Sequence, residues 1–242
     1  MNILNLAEIC GIHAGDGYLR NDGKRRELDI SGNIEEKEFY NEHIIPLFKR
    51  TLNVCAEGRY FPSRNTYGFV SRQLEVIEFL HKIGFPYGKK SDKVEIPKFI
   101  LKSKDLKLSK RFIRGLFDTD GCFCPDKKNG SKYHTYPRIF LSTISQKLFE
   151  QLCLSIDKIG IKYYTRISHS GRTNERIRYT VWVTGSNVIS WMKFIGSKNP
   201  IHVSKYRVWS KFGFCPPRTT LEQRKQILNK RLDPRIFYGP LA

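Results

Sequence analysis

The sequence predicts an α+β fold of two pseudo-symmetric αββαββα repeats, each with a four-stranded antiparallel sheet and with one helix of each packed at the centre. Three observations carry this reading. A stretch occurs twice, as Leu6-Ala7-Glu8-Ile9-Cys10-Gly11-Ile12-His13-Ala14-Gly15-Asp16-Gly17 and as Phe112-Ile113-Arg114-Gly115-Leu116-Phe117-Asp118-Thr119-Asp120-Gly121. Gly11 matches Gly115, Asp16 matches Asp120 and Gly17 matches Gly121, at a constant offset of 104 residues. The same order of helix, two strands, helix, two strands and helix starts from each copy. Small residues also recur at Ala7, Gly11 and Gly15, with Gly115 and Thr119 on the equivalent face of the second copy, so two helix backbones can approach closely.

The elements follow in order. Asn5 with Glu8 reads as a capping box opening the first helix, and Ser109 as the N-cap of its counterpart. Gly17 and Gly121 are expected in the left-handed conformation that ends a helix. Residues 18–20 begin a strand, Asn21-Asp22-Gly23 signals a hairpin turn, and residues 24–31 return. Leu28 and Ile30 face the core in that strand, and Arg25, Glu27 and Asp29 face the other way. Residues 34–52 read as an amphipathic helix with a kink at Pro46. Residues 57–61 and 67–72 make a second hairpin, and 74–83 a helix ended by Gly84.

The second half repeats the pattern with a strand from Cys122, a longer basic turn over 125–132 and a return strand over 136–142. A helix over 146–159 follows, then a hairpin of 162–169 and 176–184 around Ser170-Gly171-Arg172-Thr173-Asn174, then a helix over 188–195 ended by Gly196. Aligning Ser31 with Ser142 lays Leu28 and Ile30 over Ile139 and Leu141, so the core faces agree. The expected boundaries are 1–90 for the first repeat, 91–108 for a partly ordered linker, 109–212 for the second repeat and 213–242 for a basic extension. Residues 221–232 of that extension read as a helix.

Lys and Arg number 43 against 23 Asp and Glu, a net charge of +20 over 242 residues. Such an excess points to a polyanion. No apolar run approaches the roughly 20 residues of a spanning helix, no signal-peptide pattern opens the chain, and the cations are spread throughout. Nucleic acid is therefore the expected partner, not a membrane. The six cysteines show no zinc spacing and read as reduced thiols of an intracellular protein, in a prokaryotic cytoplasm or an organelle. The polar strand faces hold Arg20, Arg25, Glu27, Asp29, Arg59 and Arg64 in the first half, with Arg72 at a strand end. The second half holds Lys127, Lys128, Lys132, Tyr136, Arg138, Arg166, His169, Arg172, Arg176 and Arg178. An antiparallel ribbon fits the major groove, where Arg reads guanine and other polar side chains read other base edges. Lysine contacts to phosphate supply affinity.

Asp16 and Asp120 each fall near a helix C-terminus, where the macrodipole disfavours negative charge, and side by side they repel. A divalent cation resolves both problems, and oxygen ligands suit Mg²⁺, which also binds phosphate. The carbonyls of Gly15 and Thr119 are candidate additional ligands. His13 reads as a core residue.

These residues resemble the LAGLIDADG family, the homing endonucleases and related RNA maturases, in its single-chain, two-motif form. The nonapeptide falls on residues 9–17 and 113–121. The sixth position, commonly acidic in the family, is Ala14 in the first copy and Asp118 in the second, whereas the penultimate acid is present in both. The resemblance implies a saddle-shaped pair of sheets on double-stranded DNA, with the motif helices at its centre. It implies two or more divalent ions at Asp16 and Asp120, Mg²⁺ with Mn²⁺ as a substitute, and a double-strand break by phosphodiester hydrolysis in a long target. A basic residue after the closing helix of each repeat is also implied. Residues 84–90 and 199–205 match those segments, which carries the role to Lys90, with Lys89 as competitor, and to Lys205. Duplication implies a monomer, and the differing strand faces imply dissimilar half-sites.

The resemblance further implies an intron-encoded protein that cuts an intron-less allele. Met1 and the final Gly239-Pro240-Leu241-Ala242, lacking a His-Asn pair, make an intein the weaker expectation. The alternative is an RNA maturase that binds its host intron RNA without cutting DNA. Both aspartates and both lysines are present, which favours cleavage.

Overall fold

The computed structural model describes residues 1–128, 130–169 and 176–239. Helix α1 spans Ile3–Asp16. Its cap is Asn2, whose Oδ1 accepts from the amides of Leu4 at 3.0 Å and Asn5 at 3.2 Å. The expected Asn5–Glu8 capping box does not form, because the helix starts earlier and Glu8 is drawn into the interior by cations. Strands β1 (Gly17–Asn21) and β2 (Arg26–Asn33) form the first hairpin, turning through Gly23 at φ +81°.

Residues 34–52 are not one regular helix. They run as a 3₁₀ turn (Ile34–Glu36), α2 (Lys37–Phe39), a π-turn (Tyr40–Ile44) and α3 (Ile45–Leu52). Pro46 has no amide hydrogen for the preceding turn, so it sits in the first turn of α3, and the wide π-turn takes up the mismatch. Strands β3 (Arg59–Phe61) and β4 (Thr66–Ser71) precede α4 (Leu74–Lys82) and the short α5 (Lys98–Leu101).

Helix α6 (Leu106–Asp120) is capped by Asp105, whose carboxylate accepts from the Lys107 amide at 2.9 Å. Ser109, expected as that cap, lies buried inside the helix. Strands β5 (Gly121–Phe123) and β6 (Arg138–Thr143), helix α7 (Gln146–Ile159), strands β7 (Tyr164–Ser168) and β8 (Arg178–Thr184) and helix α8 (Asn187–Phe194) complete the second copy of the pattern. An element missing from the sequence reading then appears, α9 (Pro200–Phe212), followed by α10 (Leu221–Leu228) and a 3₁₀ turn (Pro234–Tyr238).

The two sheets are wound alike, in the orders β1-β2-β4-β3 and β5-β6-β8-β7, all antiparallel. Leu19, Leu28, Ile30 and Phe69 are buried on the inner face of the first sheet, and Phe123, Ile139, Leu141, Val181 and Val183 on that of the second. One continuous core joins the two halves. A second small core of Val208, Cys215 and Ile227 lies under α9 and α10.

Helices α1 and α6 cross at the centre. A Cβ on Gly11 would stand 2.0 Å from the Phe112 carbonyl oxygen, and one on Gly115 2.3 Å from that of Glu8. Glu8 and Phe112 are themselves 104 positions apart, so the crossing has the symmetry of the repeat. No side chain fits at either glycine without moving backbone. Gly17 and Gly121 are not left-handed as expected. Both are extended, at φ −85° and −86°. They are glycines because of space: a Cβ would lie 2.5 Å from the His13 ring at Gly17 and 2.3 Å from the Phe117 ring at Gly121.

Candidate active site and nucleic-acid surface

Because α1 and α6 cross at their glycines, their C-terminal ends emerge together. The Asp120 carboxyl carbon lies 3.3 Å from where a Cβ on Gly15 would be, which brings it against the turn bearing Asp16. Tyr40 donates to Asp16 Oδ2 at 2.6 Å from the π-turn. A Cβ on Gly32 would stand 2.5 Å from Asp16 Oδ2, 2.9 Å from Tyr40 Oη and 3.0 Å from Glu36 Oε2, so these three oxygens converge on the glycine. Burial pushes the Asp16 pKa up to about 8. Asp120 and Glu36 push it the same way, while Tyr40 and Lys90 oppose. Burial likewise lifts Glu36 to about 7, offset in part by Asn199 and raised further by Asp118 and Asp120. Asp120 remains solvent-accessible as a residue, yet desolvation of its carboxyl raises its pKa, with Lys90 opposing.

Lys90 is the cation at this site. Its Nζ donates to the carbonyls of Ala14 at 2.5 Å and Gly15 at 2.6 Å, and burial lowers its pKa against the pull of Asp120 and Asp16. The segment before it is stitched to β1 through Gly88 N to Leu19 O at 2.7 Å, with Gly88 at φ +74°. Lys89 stays exposed. The Gly15 carbonyl, expected as a free ligand, is thus occupied by an ammonium group. The Thr119 hydroxyl turns back onto its own helix, donating to the Gly115 and Leu116 carbonyls, both at 3.1 Å.

The second repeat differs. Asn199 Nδ2 donates to the Asp118 carbonyl at 2.8 Å, the place pseudo-equivalent to the bond from Lys90 to Ala14, and also to Glu36 Oε1 at 2.6 Å. The buried Asp118 carboxylate pins the loop that carries it, accepting from Ser197 Oγ at 2.5 Å and the Lys198 amide at 2.8 Å. Lys205, expected as the second basic residue, lies on α9, where its charge acts on the thiols of Cys122, Cys124 and Cys215. At Asp120 the opposing charge is that of Lys90. His13 is fully buried against Phe85, ring centroids 4.2 Å apart, as a core residue.

Across the crossing, Glu8 is buried and accepts from Arg111 Nη1 at 3.0 Å and from Arg114, with His43 Nε2 at 2.7 Å. Burial alone would raise its pKa; His43 and Arg114 outweigh it and hold Glu8 at about 2.

Seven of the expected contact residues, Arg20, Glu27, Asp29, Arg59, Arg138, Arg166 and Arg178, lie in the strands, and the other described ones lie in the adjoining turns and loops. In the first sheet, Arg20 opposes Glu27 and Tyr18 opposes Asp29. Ion pairs link Arg20 to Asp22 at 2.6 Å, Arg72 to Glu27 at 2.9 Å and Arg64 to Asp29 at 2.8 Å. Arg59 and Arg64 cover the Phe61 ring, and Arg25 lies exposed in the turn. In the second, Arg138 pairs with Asp126 at 2.6 Å and lies over the rings of Tyr136 and Trp182. Trp182 packs on Phe140 with centroids 5.1 Å apart. Lys127, Lys128 and Lys132 are exposed in the β5–β6 loop, Arg166 on β7, Arg178 at the start of β8, and His169 just after β7. Arg176 turns to Asp92 at 3.2 Å. Arg172 lies outside the described residues. Arg178 also lines a cavity of about 340 Å³ with Lys90 and Asp120, so the outer face runs into the carboxylate site.

Sequence reasoning missed Tyr40, Glu36 and Asn199. Asn199-Pro200 carried a readable signal, an N-cap followed by proline at the first helical position. Tyr40 and Glu36 carried none, since both depend on the irregular helix after β2. Among the described residues, no group of three or more His, Cys, Asp or Glu is arranged to hold a metal ion, and no helix is long and apolar enough to cross a membrane.

The model of the LAGLIDADG-like domain matches residues 107–195. The chain is 29% identical over 191 residues, 79% of its length, to the replication factor C small subunit of Methanocaldococcus jannaschii, and spans only 9% of that protein. Its fold is similar to the crystal structure of I-DmoI in complex with DNA and Mn, with a TM-score of 0.56 and 16% identity over 81% of this chain and 98% of that one. The homing endonuclease I-WcaI bound to its DNA recognition sequence is similar with a TM-score of 0.50 and 15% identity, over 80% of this chain and 81% of that one. With its doubled motif and its two like-wound sheets, the chain has the fold of these single-chain homing-endonuclease structures, and its second half matches the LAGLIDADG-like domain.

Proposed function

We propose that the protein is a site-specific DNA endonuclease that hydrolyses one phosphodiester bond in each strand of a long, asymmetric duplex as a monomer. The observation that carries this is the crowding of Asp16 and Asp120 at the ammonium of Lys90, with Glu36 converging on Asp16 from the other side of Gly32. Carboxyls with raised pKa values beside one cation are a set that lacks positive charge, which fits divalent ions. Asp16 and Asp120 would hold them, with phosphate and water completing the oxygen shell. When bound, a divalent ion such as Mg²⁺ supplies charge stabilisation at the scissile phosphate and a more acidic water.

The protein's own groups then have distinct tasks. Tyr40 occupies Asp16 Oδ2, so Oδ1 would be the oxygen offered to a divalent ion. Lys90 presents positive charge where charge develops on phosphate. Asn199 holds the end of α6 and fixes Glu36 across the two halves. The outer sheet faces bind the duplex, with Arg138, Tyr136 and Trp182 on one side and the Arg20, Glu27, Asp29 and Arg64 network on the other. The different chemistry of these faces supports dissimilar half-sites.

The test is selection of bound duplexes from a random-sequence library in Ca²⁺, followed by transfer to Mg²⁺. Mg²⁺-dependent cutting of the selected site supports the reading. Tight binding with no cutting in Mg²⁺ or Mn²⁺ contradicts it, and intron-RNA splicing assays would then examine the maturase alternative.

A further inference from the structure

The turn between β1 and β2 is short, whereas the connection between β5 and β6 runs from Cys124 to Pro137. Long connections without their own secondary structure are ordinarily loosely held. This one is not. Tyr133, His134, Thr135 and Tyr136 are all half-buried, while Lys127 and Lys128 stand exposed on the same loop.

What covers it is the chain beyond residue 195, where the matched domain ends. Trp209 Nε1 donates to the Thr135 carbonyl at 2.8 Å, and the Cys215 amide to the His134 carbonyl at 3.2 Å. The His134 amide donates to Tyr238 Oη at 3.2 Å. The Tyr133 ring packs against Phe214 and Tyr238, with centroids 4.7 Å and 4.8 Å away. The covering piece is itself firmly built. It has its own small core, and Arg224 is buried within it, bonded to Ser204 Oγ at 2.8 Å and to the Thr219 carbonyl. Lys225 reaches Glu38 in the first repeat at 2.5 Å, so the piece is tied to both halves.

Two further features say what the held loop faces. Lys128 and Arg138 both lie over the Tyr136 ring, at 5.4 Å and 5.6 Å, which continues the cationic and aromatic outer face of the second sheet into the loop. Residues 196–242 carry ten Lys or Arg against two Asp or Glu, so the surroundings favour a polyanion. We infer that the segment from α9 to the C-terminal 3₁₀ turn is a buttress that presents the β5–β6 loop to duplex DNA outward of the second sheet. It lengthens the half-site bound there. This rests on the nucleic-acid reading above.

Two variants of the full chain test it, against a duplex selected by the wild-type protein in Ca²⁺. Trp209→Phe/Tyr238→Phe keeps an aromatic ring at each position and removes the two side-chain ties to the loop, leaving the Cys215 amide bond in place. Lys127→Gln/Lys128→Gln removes its outward charge. Each should shorten the hydroxyl-radical footprint at the end bound by the second repeat, leave the other end unchanged and weaken binding about tenfold. The lysine variant should lower the salt-dependence slope by about 2, roughly 0.9 for each phosphate left without its lysine. The aromatic variant should also speed amide exchange at residues 133–136. Faster exchange with an unchanged footprint and affinity would overturn the inference, because the segment would then only cover its own small core. A wild-type chain that selects no duplex sinks the nucleic-acid reading itself before any variant is compared, and this inference with it.

Discussion

Lys90 and Asn199 take pseudo-equivalent places at the ends of the two motif helices. Lys90 Nζ bonds the Ala14 carbonyl and Asn199 Nδ2 bonds the Asp118 carbonyl, 104 residues further on. One helix end therefore receives a full positive charge and the other a neutral amide, and the two carboxylates share one cation.

Lys90→Met is expected to lower cleavage by about 10²–10³, the effect of removing one preorganised donor to developing charge, with little loss of binding. Lys205→Met, on α9 beside the Cys122 and Cys124 thiols, should stay within about threefold of wild type. Single-turnover rates and duplex affinities measured for both variants distinguish the two positions. Equal losses would contradict the placement of the charge.

Tyr40→Phe removes the hydroxyl that holds the Asp16 pKa down. Asp16 then ionises at still higher pH, and the acidic limb of the cleavage profile moves up by about one unit, the equivalent of a charged hydrogen bond of about 1.5 kcal/mol. A pH–rate profile in Mg²⁺ checks this. An unshifted limb would show that Tyr40 does not act through Asp16.

Asp16 lies at about 8 in the fold against an ordinary 3.8, so the native state binds its proton more tightly than the unfolded chain does. On its account, stability is highest below about pH 4 and falls as pH rises from 4 to 8. In EDTA at pH 8, Asp16→Asn should therefore be more stable than wild type by about 1–2 kcal/mol, discounted for partial solvent access, which is roughly 2–8 °C in melting temperature. Near pH 4 the two should melt together. Added Mg²⁺ should raise the wild-type melting temperature and narrow the gap at pH 8. Scanning calorimetry at both pH values, with and without Mg²⁺, reads all three.

Glu8 behaves in the opposite sense. Held at about 2, it adds stability that is present above pH 4.5 and lost as pH falls toward 2. Glu8→Gln leaves Arg111 and Arg114 without their buried counter-charge and should cost about 3 kcal/mol at pH 7. The difference from wild type in urea denaturation should shrink as pH drops below 4.

Much of the fold was legible because local and global signals agreed. Leu28 and Ile30 over Ile139 and Leu141 set both core faces, and residues 146–159 began and ended where the pattern placed them. Glycine roles were harder. Gly17 and Gly121 read as turn formers because Asp-Gly usually is one, but here a ring one turn back, of His13 or Phe117, requires the missing side chain. The carboxylate pair was legible from the repeat. The residues that tune it were not. Tyr40 reaches Asp16 from the π-turn and Glu36 from the 3₁₀ turn before it, and Asn199 reaches the end of α6 as the cap of the helix that begins at Pro200. These are consequences of packing between distant segments, which no local pattern encodes.

Strand-resolved cleavage of the selected duplex by wild type, Asp16→Asn and Asp120→Asn in Mg²⁺ tests the central claim most directly. Each strand is labelled separately and binding is measured alongside in Ca²⁺. Both variants should bind within about tenfold of wild type and fail to produce a double-strand break. With Lys90 bonded beside Asp16, the wild type should cut the two strands at unequal rates. Full double-strand cutting by either variant, at the wild-type rate and with intact binding, would contradict the assignment of the two carboxylates as the active centre.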